Sequence, residues 1–356
     1  MSFEELEPWD APVNIEPIAN QIENLLVTHC VMTDQERVAT TLWIISSYCN
    51  NSFRIFPRLT VISPERRCGK STLLEVIEAV TKNALLTSNL STAVLYRLTE
   101  TTKPTLIIDE ADTFIKNSDP QMKGVLNGGH NKSQAKVLRC EGDNHTVKVY
   151  DAWFPIVLAS IGTLYDTIMD RSITINLIRK KPSESVMPPP QDLKAESLEI
   201  RQKILKWAND ESTNIESNIH RPAYKGNDRA TDNWTPLFTI AREISEHWFN
   251  KCEHAYHLLM HEVEMELPTL LLSDIRESFK KWKSERISSS ELLNLIKQDE
   301  TAPWESERLT AAKMASTLKP YGIKPSDIRF GKKVLRGYSQ SQFTDAFERY
   351  LPRAPY

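Results

Sequence analysis

Residues 63–72 read Ser-Pro-Glu-Arg-Arg-Cys-Gly-Lys-Ser-Thr and lie between a β-rich run at 58–63 and a helical pattern reaching Lys82. A loop of this kind at a helix N-terminus turns backbone N–H groups inward around a phosphate. Lys70 adds a cation for the β- and γ-phosphates, Ser71 a hydroxyl for Mg2+, and Gly69 room for close backbone approach. Arg67, Cys68, Gly69, Lys70, Ser71 and Thr72 are therefore the expected nucleotide contacts. The Walker A pattern GxxxxGK[ST] has Pro64 where its first Gly belongs. Proline removes one loop N–H, yet its fixed φ suits the start of a turn.

The run Thr105-Leu-Ile-Ile-Asp109-Glu110, whose Asp109 lies thirty-nine residues after Lys70, reads as an apolar strand ending in two carboxylates, a Walker B arrangement. Asp109 would hold Mg2+ through its water shell, and Glu110 would orient and deprotonate an attacking water. The plain alternative is a carboxylate pair that caps the next helix. Residues 109–112 also spell Asp-Glu-Ala-Asp, but the other motifs of DEAD-box helicases are absent from their places.

Three more residues fit a ring-forming ATPase. Ser160 ends an apolar strand at 155–159, where a polar side chain senses the γ-phosphate; an ordinary strand-end serine is the alternative. Arg171 directly precedes a strand at 172–178, the place of an arginine finger in AAA+-type ATPases, which stabilises phosphate charge in a neighbouring subunit's site. A surface salt bridge is the alternative. Arg229 opens a helix after a Pro-rich stretch, where a sensor 2 arginine would reach back to the nucleotide.

The elements that must position these residues follow from periodicity. Residues 15–50 are helical, with a capping box at Thr33 and Glu36. Short β-branched runs at 58–63, 105–108, 155–159 and 172–178 alternate with helical stretches, which predicts an α/β domain with a largely parallel sheet. A β-hairpin is expected over 136–150 around Gly142-Asp-Asn. The divisions are an N-terminal helical region (1–54), a P-loop ATPase core (55–180), a Pro-rich linker (181–192), a helical lid (193–266) and a C-terminal winged-helix-like domain (267–356).

The motifs at 63–72 and 105–114, with Leu126-Asn-Gly-Gly-His130, Asp170-Arg-Ser-Ile173, Asp232-Asn-Trp-Thr-Pro-Leu237 and the C-terminal Arg329-Phe-Gly, Arg336-Gly-Tyr and Phe347-Glu-Arg-Tyr-Leu351, resemble an uncharacterised family of P-loop ATPases. This is the domain of unknown function 3631, common in phages, plasmids and integrated elements of bacteria. The resemblance extends over nearly the whole chain and implies an AAA+-like ATPase with ATP and Mg2+ as cofactors. Longer relatives carry a primase-like N-terminal part, which implies a helicase-like role in replication; primase activity is not carried over to this chain.

Two places suit nucleic acid. The hairpin carries Lys136, Arg139 and Lys148, beside Lys132, although Glu141, Asp143 and Asp151 dilute its charge. The C-terminal unit carries Lys313 and Lys319 on a predicted recognition helix, and Arg329, Lys332, Lys333 and Arg336 on a predicted wing. A protein-binding winged helix is the alternative there. Cys252, His254, His257 and His261 lack a full zinc ligand set and read as helix positions.

Composition excludes several classes. With a net charge of -3 over 356 residues, no global positive field is available, so DNA contacts must be local. No run is long and apolar enough for a membrane span, and residues 1–36 hold eight acidic side chains and no Lys or Arg, unlike a transit peptide. Five cysteines without a CxxC pair suit a reduced, cytoplasmic protein. The expectation is a Mg-ATP-dependent, homo-oligomeric, ring-type motor acting on DNA of a mobile element. Its rival is a nucleotide-switched regulatory or anti-phage defence ATPase that works through a protein partner.

Overall fold

Seven strands form among the described residues of 1–262: β1 (Arg58–Ser63), β2 (Ala84–Thr87), β3 (Thr105–Ile108), β4 (Lys136–Glu141), β5 (Thr146–Asp151), β6 (Ile156–Ile161) and β7 (Ser172–Asn176). Five of them pair in parallel in the order β2-β3-β6-β1-β7. The computed structural model describes residues 5–92, 94, 95, 98, 103–117, 120–141, 146–223, 228–261, 267–282, 284–298, 304, 308–331 and 333–351.

Alternation along the strands covers both faces of this sheet. Leu59 and Val61 of β1, Ile107 of β3 and Val157 and Ala159 of β6 face one core, which also takes Leu73, Leu74, Val76, Ile77 and Val80 of helix Lys70–Val80. Leu106, Ile108, Ile156 and Leu158 face a second core with Phe114, Ile115, Met122, Val125 and Leu126 of helices Ala111–Asn117 and Pro120–Gly128. The period of two in the strands thus assigns the crossovers to opposite faces. The chain leaves β1 toward one face and leaves β3 and β6 toward the other. A crevice therefore opens at their C-terminal ends, between β1 and β6.

The first core extends well beyond the sheet. It takes Ile18, Ile22 and Leu26 of helix Ile15–His29, Leu42, Trp43 and Ile45 of helix Asp34–Tyr48, and Trp234, Phe238, Trp248 and Tyr256 of helices Asp228–Ile244 and Glu246–His261. The capping box of helix Asp34–Tyr48 forms, and its Glu36 also accepts the Asn176 N–H at the end of β7 at 2.7 Å. The Pro-rich stretch is strapped onto helix Ile15–His29: Met187 N–H donates to Thr28 O at 2.9 Å, and His29 Nδ1–H donates to Met187 O at 2.8 Å. The N-terminal helices, the sheet and the helical segment after residue 193 thus belong to one compact unit, Met1–Glu262.

The second unit, Val263–Tyr356, has its own core around Leu271, Ile275, Ile287, Met314, Tyr338 and Phe343. Helices Leu267–Lys281, Ser289–Ile296, Ala311–Leu318 and Thr344–Tyr350 surround an antiparallel sheet of β8 (Arg286–Ser288), β9 (Ser326–Phe330) and β10 (Lys333–Ser339), ordered β8-β10-β9. Among the described residues, no helix is long and apolar enough to cross a membrane.

Gly129 fixes the approach of helix Pro120–Gly128 to the sheet. A Cβ there would lie 2.6 Å from Ala152 O and 2.9 Å from Arg58 Nη2. The backbone carbonyl has no slack, so Gly129→Ala should cost about 1–3 kcal/mol, read as a lower denaturation midpoint at an unchanged m-value.

Candidate functional site

Helix Lys70–Val80 starts on Gly69, whose φ of 85° is the left-handed region that suits glycine. The first N–H groups of a helix have no intrahelical partner. Those of Gly69, Lys70, Ser71 and Thr72 have no acceptor among the described residues, and no atom lies within 4 Å of where a Gly69 Cβ would stand. They open into a cleft of 570 Å3 lined by residues 66–72, Asp109, Glu110, Asp112, Thr113, Ser160 and Ile161. Three strand ends converge here, those of β1, β3 and β6.

The cationic side of the cleft is held in place by the loop itself. Lys70 Nζ donates to Ser63 Oγ at 2.6 Å, and Ser63 Oγ donates to Glu65 O at 2.7 Å. Ser63 O in turn accepts the Gly162 N–H at 2.8 Å, tying the end of β1 to the turn after β6. Pro64, exposed, sits within this turn and takes nothing from the N–H groups at 69–72. Arg67 has a φ of 67°, an unusual conformation for a side chain larger than glycine.

The acidic side does not behave as a helix cap. Glu110 has a φ of 54°, and its carboxylate makes no hydrogen bond among the described residues. Asp109 Oδ1 accepts only the N–H of Glu110, at 2.9 Å. Both residues line the cleft, and neither carboxylate accepts an N–H of helix Ala111–Asn117 among the described residues. Positive φ at Arg67 and Glu110, two non-glycine residues that both line the cleft, places backbone strain at its rim. The hydroxyl of Ser71 and the carboxylate of Asp109 line the same space, a hard-oxygen donor set suited to Mg2+.

Ser160 lines the cleft, but it is fully buried and its Oγ donates to Gly162 O at 2.8 Å. In this arrangement it shapes the turn that clamps β1. Arg66, Asp112 and Thr113 also line the cleft, although motif spacing does not single them out. Asp112 lies three residues after Asp109 in the first helical turn, and that spacing was the available signal.

Arg171 and Arg229 are not in the cleft. Arg58 and Ser172 pair at the start of β1 and β7, so Arg171 lies at the opposite end of the sheet from the Gly69 loop. Arg229 forms an ion pair with Asp170 at that same end. The expectation that Arg229 reaches back to its own subunit's nucleotide is therefore corrected: tertiary packing turns its helix toward the strand starts. Arg171 Nη1 donates to Thr167 O at 2.6 Å.

The hairpin does not form one basic surface. Arg139 faces Lys148 across β4 and β5, on the face of Val137 and Tyr150, whereas Lys136 lies on the opposite face with Leu138, Cys140, Val147 and Val149. The period of two separates the three cations. Lys148 Nζ stands 5.0 Å from the Tyr150 ring centroid, and Lys132 Nζ donates to Asn51 O. Residues 142–145 lie outside the described residues. In the C-terminal unit, Arg329 and Arg336 share a face of β9 and β10 while Lys333 lies on the other; Lys313 is exposed, and Lys332 lies outside the described residues. Arg336 is 3.6 Å from Asp327.

Residues 176–350 match the family described as Protein of unknown function (DUF3631). That match starts at the last residue of β7, so the cleft residues lie outside it. An uncharacterized 28.9 kDa protein in the xis 5' region of Saccharopolyspora erythraea is 31% identical over 137 residues, 36% of this chain and 51% of that protein. This chain thus spans about half the length of that curated relative. Among solved structures, the NrS-1 C-terminal region is similar at 13% identity and a TM-score of 0.45, over 94% of this chain and 78% of that one. SCCmec type IV Cch, described as an active helicase, is similar at 11% identity and a TM-score of 0.48, over 91% and 70%. Neither likeness is close enough to carry a function over.

His130 is buried within electrostatic reach of Arg58, Arg171 and Arg229, and its Nε2–H donates to Asn233 Oδ1 at 2.7 Å. Burial first, and then these cations, push its pKa from 6.5 down to about 4. The unfolded chain takes up this proton at a higher pH than the folded one, so stability is full above about 6.5 and is lost as pH falls toward 4. Chemical unfolding at pH 7 and pH 5 should show roughly 2 kcal/mol more loss in the wild type than in His130→Gln.

Proposed function

We propose that this chain is a Mg-ATP-dependent, AAA+-like P-loop ATPase, a ring-type motor that remodels or unwinds DNA of a mobile genetic element. One observation carries the ATPase reading: N–H groups at 69–72 without an acceptor among the described residues, Lys70, Ser71, Asp109 and Glu110 converge on one cleft from the ends of β1 and β3. The crevice at which adjacent strands are left toward opposite faces is where open α/β sheets bind ligands.

In this reading the helix N-terminus and the N–H groups of Gly69 to Thr72 hold the phosphates of ATP. Lys70 leaves Ser63 Oγ for the β- and γ-phosphate oxygens, a shift within reach of its flexible stem. Ser71 and Asp109 hold Mg2+, which supplies charge neutralisation at the phosphates. Glu110, whose carboxylate makes no hydrogen bond among the described residues, orients a water and takes its proton. Arg171, remote from its own cleft, serves the cleft of a neighbouring subunit, which is why a ring is needed.

DNA contact is proposed for Lys313, Arg329, Lys332, Lys333 and Arg336 of a winged-helix-like C-terminal unit, and for the hairpin cations. The hairpin also supports the rival reading. Leu138, Val147 and Val149 are 59%, 60% and 54% exposed on a single face, which suits a protein partner better than a phosphate backbone. Steady-state ATP hydrolysis with and without single-stranded DNA separates the two. The motor reading expects stimulation by DNA that disappears in Lys70→Ala; turnover indifferent to DNA favours the protein-partner reading. Glu110→Gln should slow hydrolysis by about 100-fold or more while ATP binding persists.

A further inference from the structure

The loop between β1 and helix Lys70–Val80 departs from a glycine-rich cradle at two places. Pro64 suits the start of the turn but has no N–H to give to an anion. Arg67 holds a φ of 67°, where glycine is unstrained and an arginine is not. A glycine there would follow the same backbone without strain, so the arginine does nothing for the fold of the loop. What it adds is a guanidinium at the cleft, which Arg66 and Arg67 both line while remaining exposed.

The loop leaves these two charges unpaired. Its one carboxylate, Glu65, lies 3.3 Å from Arg179 and is not part of the cleft lining. Arg66 and Arg67 side chains form no ion pair and no hydrogen bond among the described residues. Lys70, by contrast, is held by Ser63 Oγ. The carboxylates that line the cleft, Asp109, Glu110 and Asp112, come from the end of β3 and the helix after it. Cations and anions thus enter from different elements, an arrangement suited to a polyanion that carries its own metal ion.

We propose that Arg66 and Arg67 clamp the terminal phosphate of the nucleotide, so that the cleft selects a triphosphate over a diphosphate within a single chain. The proposal rests on the ATPase reading and deepens it. The N–H groups at 69–72 are fixed at the helix start and serve the inner phosphates. The terminal phosphate must lie beside the water that Glu110 orients, and therefore beside three carboxylates. Like charges so close repel, and Mg2+ offsets only part of that. Two guanidinium groups, each able to bind two phosphate oxygens at once, offset the rest. They also replace the donor that Pro64 lacks. A cleft of 570 Å3 has the size of a small-molecule site. A nucleic-acid backbone is disfavoured, because the three carboxylates would repel a chain of phosphates.

Competition binding tests this, with a fluorescent ADP displaced by Mg-ADP or by a non-hydrolysable Mg-ATP analogue. Wild type should bind the ATP analogue at least about tenfold more tightly than ADP, as one charge-assisted contact provides. The double variant Arg66→Ala, Arg67→Gly removes both guanidinium groups and gives position 67 the residue its φ favours, so its denaturation midpoint should match or exceed that of wild type. In it the preference should fall to about twofold or less, with ADP affinity changed by less than about threefold. Arg67→Lys, which keeps the charge without the planar fork, should retain part of the preference. A wild type that binds the two nucleotides equally, an unchanged preference in the double variant, or an equal loss for both nucleotides overturns the proposal. Loss of single-stranded DNA binding in the double variant, with nucleotide preference intact, would assign the arginines to nucleic acid instead. A wild type that binds neither nucleotide removes the ATPase reading first. Nucleotide binding that is weakened by Lys70→Ala but indifferent to the double variant removes the clamp alone.

Discussion

Parallel strands cannot be joined by tight turns, so successive strands of the five-stranded sheet are linked by connections that run over one face or the other. Everything chemical in the first unit follows from that constraint. All five strands point the same way, which separates their starts from their ends by the full length of the sheet. The ends of β1, β3 and β6 gather a helix N-terminus, a lysine and two carboxylates. The starts of β1 and β7 gather arginines. The candidate nucleotide cleft and the arginines thus lie at opposite ends of the same sheet.

The surrounding helices keep this polarity rigid. Glu36 completes the cap of helix Asp34–Tyr48 and binds the end of β7 with the same carboxylate. Tyr48 Oη donates to Val80 O at 2.8 Å, and Arg201 Nη1 donates to Ala79 O, so two side chains satisfy carbonyls at the end of helix Lys70–Val80. That helix begins at the loop proposed to hold phosphate. The segment after the Pro-rich stretch is therefore tied directly to the element that would feel a bound phosphate. It shares one core with the N-terminal helices, where the sequence suggests separate regions.

What the sequence made legible is what local physics decides. The capping box at Thr33 and Glu36, the strand–turn–helix around Gly69 and the apolar strand before Asp109 each depend on neighbours in sequence, and each forms. β2 was not legible: Ala84–Thr87 is four residues long, rich in leucine and adjacent to a helix. Arg58 reads as a surface residue at a strand start, yet the close approach at Gly129 buries it. Which end of the sheet Arg229 reaches is decided by how its helix packs, through Trp234 and Phe238, and no spacing encodes that. The hairpin's cations are visible in the sequence, but their division between two faces follows from the register of β4 on β5.

The most direct measurement is calorimetric titration of Mg-ATP into the wild-type protein and into Lys70→Ala. The cleft predicts one saturable site per chain, weakened about tenfold or more when the lysine is removed, as expected for loss of a charge-assisted hydrogen bond to phosphate. Absence of binding, or equal affinity in the two proteins, would contradict it.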